Sequence, residues 1–321
     1  MLSASSPQTC EEEAPMNHDE RVLDVNGVAL FTKTIGTGPP LLVIHGGPGL
    51  EHTYFLPHLS AFATRYTLIL YDQRGSGSSE GTIDSASITL ANFVKDMEGV
   101  RQALRLDRIH LLGHSWGATL AILYALQYPE NVNALILANP GGVRSTMVRR
   151  GAEMQRQRLS TDESTYLDAL TKTERFRSRS PEALGEYFRT LFRTTFFHKD
   201  LADTLNLQFT PATARNVTQI PKLLFQGMGN FDIRDQLGSV VVPTLIIHGI
   251  ADAVPFEAAE EIHKRIRNSQ LLILDHAGHF PFIDSPDEFF GAVIDFLSHH
   301  HPGKNTRDHK TSGGGSWNTP R

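Results

Sequence analysis

The sequence predicts an α/β protein built on a mostly parallel sheet, with helices on both faces and a helical insertion near its middle. Three observations carry this. Short apolar runs without alternation recur along the chain, as expected of strands buried on both faces. Helical patterns separate them, which argues for parallel crossovers. Finally, the alternation stops near Gly141 and resumes near Val240.

The elements follow in order. GVALFTKTIG reads as an early strand, then PPLLVIHGG, YTLILYDQ, RIHLLGHS and NALILANP as buried parallel strands. ANFVKDMEGVRQALRL fits an amphipathic helix between two of them. Later, VPTLIIHG and SQLLILDHAGH supply two more strands, and DEFFGAVIDFLSHH a closing helix. The core is thus assigned to residues 20–140 and 241–300. Residues 141–240 hold helix starts at STDE near 160, SPEAL at 180 and TPATA at 210, the last two with proline just inside the cap. They are expected to lie over the carboxyl ends of the strands, where ligands bind in open α/β sheets. This insertion carries 15 Lys and Arg against 11 Asp and Glu, which an exposed basic face explains as well as an anionic substrate does.

Composition excludes several function classes. With 321 residues, 40% hydrophobic and 20% charged, the chain reads as an ordinary soluble globular protein. A net charge of −5 gives no reason to expect nucleic acid or an acidic membrane surface as partner. A single cysteine, Cys10, permits no intrachain disulfide and sits in a polar leader away from any partner histidine. Residues 1–19 read as a disordered leader without an apolar signal segment, and 301–321 as a flexible Gly/Ser-rich tail. A cytoplasmic location is expected, and no segment is long enough to span a membrane. His299–His301 read as a solvated helix end rather than a metal site.

Chemistry enters at LLGHSWGATLAILYA, residues 111–125. Ser115 stands between Gly113 and Gly117 in G-x-S-x-G, after a β-like run and before a helix apolar on every side. That order is the setting of a nucleophile elbow, where backbone crowding demands glycine two residues either side of the serine. A serine needs a base, a carboxylate to orient it, and donors for the developing oxyanion. The expected order is serine, acid, histidine. HGIADAVP places Asp252 just past one late strand, and LDHAGHFPF places His279 just past the next. His248, Asp275 and His276 are the rivals. One oxyanion amide is expected from Trp116 and another from HGGPG, at Gly47, with Gly46 second. YDQRGSGSS lacks the Gly-Lys-Ser/Thr ending of a P-loop and reads as a structural loop, with Arg74 pairing a carboxylate.

Together HGGPG, YDQRGSGSS, GHSWGA, HGIADAVP and HAGHFPF resemble the α/β-hydrolase fold family, in particular proline iminopeptidases and related amidases, over roughly residues 20–300. The resemblance implies Ser115 as nucleophile, Asp252 as acid, His279 as base, and oxyanion amides at Gly47 and Trp116. A serine at the elbow speaks against dehalogenases and epoxide hydrolases, which use aspartate there. The resemblance also implies insertion carboxylates that hold the free amine of an N-terminal residue. The insertion has no tryptophan, and Glu153, Glu163, Glu174, Glu182 and Glu186 are the glutamates available. A prolyl aminopeptidase or amidase acting on a small molecule or short peptide is therefore the first expectation, without metal or organic cofactor. A small-molecule esterase, lactonase or C–C bond hydrolase is the alternative. A non-catalytic binding protein on the same fold is the alternative of another class. The sequence assigns no oligomeric state.

Overall fold

The computed structural model describes residues 18–300. Eight strands form one sheet in the order β1-β2-β4-β3-β5-β6-β7-β8. From β3 onward the pairs are parallel, while β1 and β2 join antiparallel at one edge. Strands β2 (Val28–Ile35), β3 (Pro40–Ile44), β4 (Thr67–Tyr71), β5 (Ile109–His114), β6 (Val132–Ala138), β7 (Thr244–Gly249) and β8 (Ser269–Leu274) coincide with the seven apolar runs.

Strand β1 (His18–Val25) departs from the sequence reading. It begins inside the leader drawn to residue 19, because an edge strand can be held by main-chain bonds alone and need not show an apolar pattern. Only Val25 of its eight residues is buried. Asn26 and Gly27, both at positive φ, turn it into β2 as a tight hairpin. The rest of the leader with Cys10, and the tail from residue 301, lie outside the described residues.

Both faces of the sheet are covered. Leu42, Ile44, Ile69, Leu111 and Leu135 pack toward α1 (Leu90–Ala103), α2 (Trp116–Gln127) and α9 (Glu257–His263). Leu41, Val43, Leu70, Leu112 and Ile247 pack on the opposite face toward α11 (Pro286–His299). Successive strand residues point to opposite faces, so an unbroken apolar run fills both layers. Among the described residues no helix is long and apolar enough to cross a membrane.

Between β6 and β7 the chain forms six α-helices: α3 (Ser145–Gln157), α4 (Thr161–Thr171), α5 (Glu174–Arg177), α6 (Pro181–Arg193), α7 (Pro211–Asn216) and α8 (Gln219–Met228). The three helix starts read from sequence all form. Ser160 closes a capping box with Glu163 on α4. Ser180 and Thr210 cap α6 and α7, each followed by proline in the first turn. A short α10 (Pro281–Asp284) follows β8.

Candidate active site

Ser115 sits at the junction of β5 and α2 with φ 55° and ψ −117°, a strained conformation for a residue bearing a Cβ. The crowding inferred from the flanking glycines is present. A Cβ on Gly113 would overlap the Gly117 carbonyl oxygen, and one on Gly117 would overlap that of Ile44. The serine is thus held between β3, β5 and the first turn of α2, at the carboxyl ends of the strands.

A cavity of about 240 Å³ opens there, and Ser115, Asp252, His279, Gly47 and Trp116 all lie in its wall. His279 Nδ1 donates to Asp252 Oδ2 at 2.7 Å, which leaves Nε2 as the ring nitrogen free to serve another group. Asp252 Oδ1 accepts from the Val254 amide at 3.0 Å, and Oδ2 accepts a second bond from Asn139 Nδ2 at 2.8 Å. Burial pushes the Asp252 pKa up, but His279, His248 and Asn139 outweigh it and hold the carboxyl at about 2.

The rivals are elsewhere. His248 is buried with Nε2 bonded to the Val254 carbonyl, 3.9 Å from Asp252. His276 is exposed and packs edge-on against Phe197, and Asp275 is exposed. None of the three lines the cavity.

The glycine loop after β3 separates its two amides. Gly46 N–H donates to Tyr54 Oη at 2.6 Å. Gly47, at φ 126°, belongs to the cavity wall. Trp116 is the first residue of α2, where a helix amide has no intrahelical acceptor. Its indole N–H donates to Gln73 Oε1 at 3.1 Å, while Gln73 Nε2 donates to the His45 carbonyl at 2.7 Å. Gln73 therefore ties β3's end to the start of α2. Arg74 makes a bidentate pair with buried Asp96, 2.7 Å on both arms, so its loop is braced from within.

Asn139, Tyr54, His114 and Gln73 are the residues sequence reasoning missed. Asn139 carried a readable signal, an asparagine directly after a buried apolar run and just before proline, and it adopts φ 46°. The other three contact distant residues, which no local pattern reports.

The insertion supplies much of the remaining wall, including Val148, Gly151, Ala152 and Gln155 from α3, Phe192 from α6, and Phe225 and Met228 from α8. None of its five glutamates lines the cavity. Glu163 closes its capping box, Glu186 binds Arg175 and Tyr166, and Glu182 binds Ser180. Glu153 and Glu174 are exposed.

Residues 39–286 match the alpha/beta hydrolase fold family. The chain belongs to that family. This α/β hydrolase is 29% identical to the proline iminopeptidase of Heyndrickxia coagulans, covering 88% of this chain and 99% of that one. It is 30% identical to the proline iminopeptidase of Lactobacillus delbrueckii subsp. bulgaricus, with 88% and 98% covered. Among solved structures it superimposes on an alpha/beta fold family hydrolase from Bacillus anthracis str. Sterne with a TM-score of 0.68 at 20% identity, covering 88% and 100%.

Proposed function

We propose that this α/β hydrolase is a serine hydrolase that cleaves carbonyl substrates with an uncharged, apolar acyl part through an acyl-enzyme. Ser115 Oγ attacks the carbonyl carbon while His279 Nε2 takes its proton. Asp252 holds the imidazole through Nδ1–H and stabilises the imidazolium. The Gly47 and Trp116 amides receive the oxyanion. His279 returns the proton to the leaving group, and water activated by the same imidazole then hydrolyses the acyl-enzyme.

The observation that carries the substrate class is the cavity wall. Among the described residues, Asp252 is the only carboxylate in its lining, and both its oxygens are occupied by His279, Asn139 and the Val254 amide. A free ammonium entering this space would lose its hydration with no carboxylate to replace it. Phe192, Phe225, Phe231, Met228 and Val148 instead favour an apolar group.

A second reading, a prolyl aminopeptidase, is favoured by the relatives named proline iminopeptidase. One comparison separates the two without confounding by the reactivity of esters over amides. Prolyl arylamide and its N-acetyl derivative share a scissile bond and differ in charge. On the first reading acetylation leaves kcat/KM unchanged or raises it. A fall of about a hundredfold, the loss of an amine contact of roughly 3 kcal/mol, would defeat that reading and establish the aminopeptidase.

A further inference from the structure

The geometry points to Tyr54 and His114 as a positioning pair that locks the oxyanion loop, the nucleophile elbow and the base loop into one unit. The inference rests on the assignment of Ser115 and His279 above, and concerns two residues that lie outside the cavity wall.

Three hydrogen bonds run in series. The Gly46 amide lies 2.6 Å from Tyr54 Oη, Tyr54 Oη lies 2.8 Å from His114 Nδ1, and His114 Nε2 lies 2.7 Å from the main-chain carbonyl of His279. The direction of every proton follows from the partners. A carbonyl only accepts, so Nε2 of His114 carries hydrogen and donates. Burial first, then the neighbouring His279, holds the His114 imidazole neutral, with its pKa at about 3, so Nδ1 is bare and accepts. The Tyr54 hydroxyl is then the donor to Nδ1, and its oxygen accepts from Gly46.

Each end of this series is one step from the chemistry. Gly46 precedes Gly47, His114 precedes Ser115, and the last acceptor belongs to His279 itself. The jacket around the pair is aromatic and dry. The Tyr54 and Phe55 rings lie 4.3 Å apart, His114 and Phe280 5.4 Å, and His114 and His279 4.8 Å. Both side chains are 1% exposed. Water therefore has no route to replace a lost partner, and removing the Tyr54 hydroxyl leaves the Gly46 amide and His114 Nδ1 unpaired together. Committing Gly46 to Tyr54 also leaves Gly47, in the cavity wall, as the amide of the two that remains for the oxyanion.

The pair acts on the rate rather than on binding, because neither side chain lines the cavity and its contact with the wall is to the main chain and ring of His279, the base. For a substrate turned over by the parent enzyme, Tyr54→Phe is expected to lower kcat by about 10- to 100-fold and leave KM within about twofold. His114→Leu should lose at least as much. His114→Gln keeps a donor near the Nε2 position and should recover about tenfold over His114→Leu. A general loss of packing would not distinguish glutamine from leucine in that direction. Circular dichroism and thermal unfolding establish that each variant is folded. If Tyr54→Phe fails to fold, the glutamine and leucine variants carry the test alone. Parental kcat in folded Tyr54→Phe, or no advantage of glutamine over leucine at 114, overturns the inference. Ser115→Ala measured beside them keeps the two readings apart: if it still turns over, the assignment of the nucleophile has failed rather than the positioning pair.

Discussion

Asn139 Nδ2 lies 2.8 Å from Asp252 Oδ2, the same carboxylate oxygen that accepts from His279 Nδ1. The asparagine amide also donates to the Gly278 carbonyl at 2.9 Å. One side chain just past the end of β6 thus orients Asp252 after β7 and steadies the loop that carries His279 after β8. Asn139→Gly removes this amide while accepting the positive φ that a residue with a Cβ resists. A drop of about tenfold in kcat/KM is expected, equivalent to one hydrogen bond of about 1.4 kcal/mol. Unchanged kinetics in a folded variant would show that Asp252 is oriented without it.

Turnover is expected to depend on the serine and on one histidine in particular. Ser115→Ala and His279→Ala should each lower kcat by at least about a thousandfold, and Ser115→Ala should abolish labelling by a fluorophosphonate. His276→Ala, on an exposed side chain outside the cavity, should retain near-parental rates. The reverse pattern between the two histidines would move the base to His276.

Replacing Gly117 tests the elbow's construction rather than its chemistry. Gly117→Ala would set a Cβ into the Ile44 carbonyl oxygen and 2.8 Å from that of His45, both backbone atoms of the central sheet and its exit. The backbone can yield only by shifting α2 or β3, so a loss of stability of about 3 kcal/mol or more is expected. Gly227→Ala makes an internal control, since a Cβ there would meet nothing within 4 Å. Chemical denaturation of both variants checks the contrast, and equal midpoints would refute the crowding argument.

Acid should weaken the fold before it reaches the carboxylates. Burial pushes His45 down to about 4 and His114 down to about 3, whereas an unfolded histidine titrates near 6.5. Their folded pKa values are depressed, so the native state refuses protons that the unfolded chain binds. The contribution is fully present above about pH 6.5 and is lost as pH falls from there toward 4. Two such groups give a slope of up to about 2.7 kcal/mol per pH unit in that window. Glu51, whose carboxyl burial raises, opposes the trend at the acid end. Urea midpoints between pH 7.5 and 4.5 measure the slope, and a level profile would contradict it.

The sheet, the elbow and the residues gathered around it were legible in the chain itself. Unbroken apolar runs bounded by turn residues are strands covered on both faces, and glycine on both sides of Ser115 records a crowding that is local to the turn. Asp252 and His279 were legible because both follow strand ends, and a parallel sheet brings all such ends to one edge. Strand β1 was less legible, since an edge held by main-chain bonds need not show an apolar pattern. That none of the insertion's glutamates lines the cavity was settled by packing alone, because a helix there can turn the same residue to solvent, to a cap or to an arginine. Packing also chose the partners of Tyr54, His114, Asn139 and Gln73. Each of these meets a residue far along the chain, and a hydrogen bond across such a distance leaves no periodic trace in sequence.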